Sequence, residues 1–481
     1  MTRVVLPDQT DLVAGDWISE GAERTEWIEH SSDGRAEQVQ REASAVSIER
    51  ALATAWSAHT SAAWSSRTDH ERAGVLEAAA DRLAAAVPDI AALESATTGA
   101  VIGTTSMLGF IVHGSFRMAA EQLRSGVLDA RFDGPTGRAV EVRRLPWGPA
   151  LLLCPWNAPA PMAAHKMASA LAAGCPVIVK PPERAPHGTT SMVRAIADLF
   201  PPGTVQLLHG GPSTASALMT DRRVRAVSFT GGIVGGRAVA HACAEDLKPA
   251  QLELGGHAPL LVLDDASLEH VVAGALGLLL TLNGQWCRAL GRLLVPERRR
   301  AEIVDAVAGA LSSVVVGDPI DPSTEMGPLV HSAHRAYLQR RLDEFSDGRI
   351  VSTTPLPDRS GNWFAPTLVD GVDPSRTVDE IFGPVAAVHG YRNLDEALAL
   401  ANGTDYGLEA YVVGSDEEAA MAAARRVRAG GVKVNGVSPV SLHLMAPRPA
   451  FGVSGLHEEG TAESIRFFGG NQVLGVENSL G

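Results

Sequence analysis

The sequence predicts an α/β fold built on parallel sheets, and three observations carry that prediction. From residue 149 onward, short apolar runs at 151–154, 177–180, 205–208, 226–230 and 251–254 alternate with helical stretches, the pattern of consecutive βαβ units. Glycines and polar residues suited to a ligand follow the ends of these runs, among them Lys180, Thr230-Gly231-Gly232 and Gly255-Gly256. In parallel sheets ligands bind beyond the carboxyl ends of the strands. Finally, 481 residues with 45% hydrophobic and 20% charged side chains describe an ordinary globular chain, long enough for roughly two to four domains.

Taken in order, residues 46–100 are alanine-rich with helical spacing. Thr68 and Glu71 form a capping box, after which Leu76, Ala79, Ala80 and Leu83 fall on one face. Residues 127–145 read as a hairpin around Asp133-Gly134-Pro135-Thr136-Gly137. The alternating region follows, with Pro201-Pro202-Gly203 closing one of its helices. Beyond it, the apolar run 271–282 reads as a buried helix between Leu252-Glu253-Leu254-Gly255-Gly256 and Asn283-Gly284-Gln285-Trp286-Cys287. Strand-like runs at 260–264 and 292–295 beside that helix suggest a second α/β unit that carries the thiol.

Composition excludes several functions. A net charge of −14 with no long basic run argues against nucleic acid and against anionic lipid surfaces. The longest apolar run, about twelve residues, is too short for a bilayer. Four widely separated cysteines (154, 175, 243 and 287) make no disulfide framework, and the start lacks a signal-peptide core, so a soluble cytoplasmic protein is expected. Fifteen scattered histidines without His-Glu-x-x-His give no metal site.

A carboxylate on one loop and a thiol beyond a buried helix suit covalent catalysis, the thiolate forming an acyl-enzyme and the carboxylate activating water. The blocks that carry them, Leu-Glu-Leu-Gly-Gly and Gly-Gln-x-Cys, resemble the signature blocks of the aldehyde dehydrogenase superfamily, and the similarity runs over nearly the whole chain. The resemblance implies a Rossmann-like cofactor domain (1–124 and 146–252), an α/β catalytic domain (253–445), and an oligomerisation hairpin and tail (125–145 and 446–481). It also implies an opening strand at 12–17 and a homodimer or homotetramer.

It further implies roles for individual residues. A lone cysteine after an apolar helix is most often inert packing; the preceding Gly-Gln-x and the placement of Glu253 reverse that for Cys287, the expected nucleophile. Asn157, in Pro155-Trp156-Asn157-Ala158-Pro159, matches the family's oxyanion donor, and Glu253 its general base. For the cofactor, Trp156 and Leu254 line the site, Lys180 bonds the adenosine ribose, and Glu183 takes its hydroxyls. A carboxylate there repels a 2′-phosphate, so NAD is expected over NADP, with the adjacent Arg184 working against that preference. Phe229, Gly231, Gly232 and Gly235 belong to the block whose helix N-terminus faces the pyrophosphate; the family usually has serine where Gly232 stands. Glu380 and Phe382 match the pair that holds the nicotinamide half, and His257 replaces the family's lysine after the glycine pair.

The acyl pocket is expected between Ala158, Trp286 and Arg288. Ala158 replaces a large aromatic residue of many relatives, which with the flat indole of Trp286 favours a bulky or aromatic aldehyde. Arg288 points instead to a carboxylate-bearing semialdehyde, unless it only pairs with a structural acid. A CoA-acylating dehydrogenase and a non-catalytic binding protein on this scaffold remain as other readings.

Overall fold

The computed structural model describes residues 4–133 and 138–476. The expected tip of the hairpin, residues 134–137, lies outside them. Two large sheets organise the chain. The first has eight strands, in the order Asp16–Ile18, Asp11–Val13, Val205–Leu207, Val177–Lys180, Ala150–Leu153, Ala226–Thr230, Ala250–Glu253, Gly455–Leu456. Its five central strands are parallel, and in chain order they run 3-2-1-4-5, the dinucleotide-binding arrangement. The order reverses between Ala150–Leu153 and Ala226–Thr230, the kind of switch point at which such sheets bind ligands.

These strands form because both faces are covered. Ala150–Leu153, Val177–Lys180 and Ala250–Glu253 are buried at every position, which requires continuous apolar runs rather than alternation. On one face lie the long helices Asp69–Thr98 and Ile102–Arg124 and the helix Pro159–Ala172, whose alanines allow close approach. The Thr68–Glu71 capping box starts the first of these, and Leu76, Ala79, Ala80 and Leu83 are fully buried as expected.

The second sheet has seven strands, in the order Arg349–Val351, Thr367–Asp370, Val385–Tyr391, Leu290–Pro296, Ala258–Val262, Glu409–Val413, Gly431–Val434, all parallel except the first. A third, three-stranded sheet joins Asp129–Asp133, Ala139–Pro146 and the tail strand Gly469–Leu474. Other parts of the tail belong elsewhere. Gly455–Leu456 closes the first sheet, and the helix Thr461–Phe467 packs on the helices Ile102–Arg124 and Pro159–Ala172.

Three expectations need correction. Residues 12–17 are not one strand: Ala14 and Gly15 take positive φ (57° and 94°) and fold Asp11–Val13 back onto Asp16–Ile18. The apolar run 271–282 is not one helix, since the helix spans Leu268–Leu280 and the chain then reverses. The strands expected at 260–264 and 292–295 begin two residues earlier, as Ala258–Val262 and Leu290–Pro296.

Candidate active site

The reversal after Leu268–Leu280 positions the thiol. Leu282, Asn283 and Gly284 all lie in the left-handed region, with φ of 50°, 57° and 71°. For the two non-glycine residues that costs about 1–3 kcal/mol each. Buried Asn283 offsets the strain through its side chain: Nδ2 donates to Gly99 O (2.7 Å) and Pro328 O (2.9 Å), and Oδ1 accepts from Gly327 N–H (2.9 Å). At Gly284 a Cβ would stand 2.4 Å from Pro384 N, so glycine is required there. Cys287 therefore sits seven residues beyond the helix rather than at its end.

The two signature blocks meet because the first ends in glycines. A Cβ on Gly256 would lie 2.0 Å from the Cys287 carbonyl oxygen, and one on Gly255 would lie 2.2 Å from Glu380 Oε2. Only bare backbone lets the end of Ala250–Glu253 pass between the thiol loop and Glu380. Asn157, in the loop after Ala150–Leu153, donates from Nδ2 to Gln285 O at 2.9 Å. One N–H of its amide is thus spent on orientation, and the second is left for the cavity.

Cys287, Glu253, Asn157, Ala158, Trp286 and Arg288 all line one cavity of about 170 Å³. Its outer walls are apolar (Phe110, Ile111, Met118, Leu444). Trp286 is fixed by its indole N–H, which donates to Leu278 O at 3.3 Å. Arg288 pairs with buried Glu409 (3.4 Å), which also faces Lys433 (3.5 Å). Burial pushes the Cys287 thiol up to about 12; Arg288 opposes that, while Glu253, Glu380 and Glu409 add to it.

Glu253 has one buried carboxylate oxygen with no hydrogen-bond partner. Burial raises its pKa, and the negative charge of Glu459 raises it further, against Arg288, Arg448 and Lys166. Glu459 is held well below the usual carboxylate range by Lys166 (3.1 Å) and by Arg448 (3.3 Å), despite its burial. Sequence reading missed this group. Its only signal was His165-Lys166 inside an apolar alanine-rich helix, where a lysine 1% exposed needs a partner.

The other predicted residues lie outside that cavity's lining and make contacts of their own. Trp156 packs edge-on against Phe382 (5.3 Å between ring centroids) and His334 (5.4 Å), and His334 bonds Phe382 O at 2.6 Å. His331 and His334 are additions to the predicted set; burial first, then Arg184 for His331, pushes His331 to about 3. Glu380 accepts from Gly256 N–H at 2.9 Å, and burial raises its carboxyl to about 7. Lys180 Nζ donates to Glu183 Oε1 (2.9 Å) and Pro181 O (3.1 Å). Phe229 packs its ring under Gly231 and Gly235, and Leu254 fills the space left by Gly236. Gly232 is the N-cap of Ile233–Glu245 and makes no side-chain cap bond, so the first N–H groups of that helix have no internal competitor for an anion.

These residues fit a dinucleotide. Glu380, half-buried with one N–H bond to its carboxylate, is an acceptor short of donors, as a ribose diol requires. Lys180 has three donors and uses two. Among the described residues no His, Cys, Asp and Glu group would hold a metal ion, and no helix is long and apolar enough to cross a membrane.

Comparisons with known proteins give the family. The chain is 33% identical over 470 residues to geranial dehydrogenase of Castellaniella defragrans, covering 96% of this chain and 97% of that protein. It is 32% identical over 467 residues to 4-(hydroxymethyl)benzenesulfonate dehydrogenase of Comamonas testosteroni, covering 95% and 96%. Among solved structures, betaine aldehyde dehydrogenase from Staphylococcus aureus in complex with NAD+ superimposes with a TM-score of 0.91 at 28% identity, over 97% of this chain and 94% of that one. A mutant of aldehyde dehydrogenase C from Pseudomonas syringae, complexed with NAD+ and octanal, gives 0.90 at 28% identity, over 97% and 96%. The model described as the aldehyde dehydrogenase family matches residues 17–472, nearly the whole chain: the chain belongs to the aldehyde dehydrogenase family.

Proposed function

We propose that the protein oxidises a bulky or aromatic aldehyde to its carboxylic acid with NAD, through a thiohemiacetal and then a thioester on Cys287. The observation that carries this reading is the convergence of Cys287, Glu253 and Asn157 in one largely apolar cavity, with Glu380 beside the Gly255-Gly256 turn that packs on Cys287. Cys287 Sγ adds to the aldehyde carbonyl, and the oxyanion takes the free N–H of the Asn157 amide and the backbone N–H of Cys287. Losing such a donor typically lowers rate by about 10²–10³-fold. NAD, when bound, supplies the hydride acceptor. Glu253 then takes a proton from water as that water attacks the thioester, the C–S bond breaks, and the acid leaves.

Trp156, Lys180, Glu183, Phe229, Gly231, Gly232, Gly235, Leu254, Glu380 and Phe382 hold the cofactor in this reading. The structural neighbours carry NAD+, and the Glu183 carboxylate disfavours a 2′-phosphate.

The cavity supports the substrate class. A dry cavity of about 150 Å³ accepts one benzene ring, so about 170 Å³ between Ala158 and Trp286 suits one ring or a branched chain. Geranial and octanal, named for two of the relatives, are long apolar aldehydes, and the benzenesulfonate derivative named for a third carries a ring. The semialdehyde reading loses ground because Arg288 is already paired with Glu409. The CoA-acylating reading loses ground because Glu253 is retained. We also propose that the chain divides into cofactor, catalytic and oligomerisation units, with the exposed Phe132 and Val473 of the third sheet covered by another copy in a cytoplasmic homo-oligomer.

An aldehyde panel with NAD, following reduced nicotinamide, tests the reading, with Cys287→Ala as control. Ring-bearing aldehydes should exceed acetaldehyde and semialdehydes in kcat/KM, and the control should be inactive. The reverse substrate order refutes the substrate class, and an active control refutes the mechanism.

A further inference from the structure

Part of the aldehyde cavity is walled by a segment of irregular backbone. Residues 435–450 run between the strands Gly431–Val434 and Phe451–Gly452, and Pro439, Val440, Ser441 and Leu444 from this segment line the cavity. Val440, Leu442, Leu444 and Met445 are exposed. At the far end Thr461 Oγ1 donates to Leu444 O at 2.8 Å. At the near end the holding group is Lys433, 4% exposed on the edge strand Gly431–Val434 of the second sheet. Its ammonium donates to Ser438 O at 2.5 Å and to Val440 O at 2.9 Å. Glu409 stands 3.5 Å from that ammonium and is shared with Arg288.

The register explains the arrangement. On adjacent parallel strands Glu409 pairs with Gly431, and Tyr411 with Lys433. A Cβ on Gly431 would lie 2.6 Å from Glu409 Oε2, so glycine leaves the carboxylate its place near the lysine. Glu409 and Tyr411 hold the thiol loop, the first through the Arg288 guanidinium (3.4 Å), the second through its hydroxyl, which donates to Arg288 O at 3.0 Å. Lys433 holds the segment at 438–440, so one pair of strands carries both pieces of the cavity wall. An ammonium has three donors, and here two carbonyls and a carboxylate face it. A lysine present only to balance Glu409 would lie nearest the carboxylate, yet both carbonyls are closer.

We infer that Lys433 is a positioning residue that sets specificity for bulky aldehydes: by gripping the carbonyls of Ser438 and Val440 it fixes the wall at 439–441 against which the apolar body of the substrate packs. This deepens the substrate reading above and rests on it. Acetaldehyde is too small to need that wall, and a ring is not.

Lys433→Met keeps the length of the side chain and removes its donors. In steady-state kinetics with NAD, the KM for benzaldehyde should rise about tenfold relative to that for acetaldehyde, equivalent to about 1.4 kcal/mol of lost packing, with kcat little changed on either. Hydrogen exchange read by mass spectrometry should speed at 436–444 and stay as in wild type at Glu409–Val413. Lys433→Gln, neutral and too short to span both carbonyls, serves with the same expectations if Lys433→Met does not fold. An unchanged KM ratio, or equal losses on the two aldehydes, would overturn the inference. So would exchange that speeds in the strand as much as in the segment, the mark of a plain structural ion pair. Failure of the substrate reading is seen separately, as a wild-type preference for acetaldehyde over benzaldehyde.

Discussion

Substituting Ala158 by phenylalanine tests the substrate argument at its weakest joint, the room beside the thiol. Ala158 immediately precedes the helix Pro159–Ala172, is 8% exposed and lines the cavity. A ring added there points into space of about 170 Å³, and one ring fills about 150 Å³. The cavity holds one ring and not two, so the substrate's ring must leave. Burying a phenyl-sized group is worth about 1.5–3 kcal/mol, and each 1.4 kcal/mol is a factor of ten. Ala158→Phe should therefore lower kcat/KM for ring-bearing aldehydes by about 10- to 100-fold and leave acetaldehyde nearly unchanged. Steady-state kinetics on both substrates decides. Equal losses on the two would mean that the substitution disturbs the Asn157 loop, and the volume argument would fall.

Three more outcomes follow from the geometry. Glu253→Gln should release a burst of reduced nicotinamide and then stall with acyl-enzyme, visible by intact mass; in wild type the steady rate should fall on acidification at a pH above the ordinary carboxylate range, because Glu253 works only when ionised and its surroundings resist that. Glu183→Ala should reduce the preference for NAD over NADP by about 10- to 100-fold, since like charges cost several kcal/mol when opposed; an unchanged ratio of kcat/KM values removes Glu183 from cofactor choice. Glu94, buried and accepting Ala160 N–H at 2.8 Å, has its carboxyl pushed from 4.5 to about 8 by burial, against that bond. The folded state thus holds this proton more tightly than the unfolded one, so its contribution is complete below pH 4.5 and lost as pH rises through 8. At about 1.36 kcal/mol per tenfold change in proton affinity the loss approaches about 5 kcal/mol. Glu94→Gln keeps the bond and cannot ionise, so its melting temperature should match wild type at pH 5 and exceed it at pH 9; a difference constant with pH would refute this.

What the sequence made legible is what is written locally. The buried strands announced themselves as continuous apolar runs, and the residues at their ends, Lys180, Thr230 and Glu253, marked the crevice because chain order and ligand placement are linked in parallel sheets. The N-terminal hairpin Ala22–Glu29 with Ala36–Glu42 went unread because it is largely polar, with only Ile28 and Gln40 buried, so it lacks the apolar alternation that betrays a half-buried strand. The turn at Leu282 went unread for the opposite reason. Its apolar side chain continues the helical run while its backbone has already reversed, and only the following Asn283-Gly284 hinted at a turn. Glu459 could not be found at all from position, since its importance lies in facing Glu253 across two elements far apart in the chain. The site's nucleophile and base were thus readable one by one, but their acidity was not. Glu459 adds to the effect of burial on Glu253 while Arg288, Arg448 and Lys166 oppose it, and Arg448 and Glu459 arrive only when the tail folds back to the cavity. Any substitution that displaces the tail between Arg448 and Glu459 should accordingly disturb proton affinity at Glu253 before it disturbs the binding of either substrate.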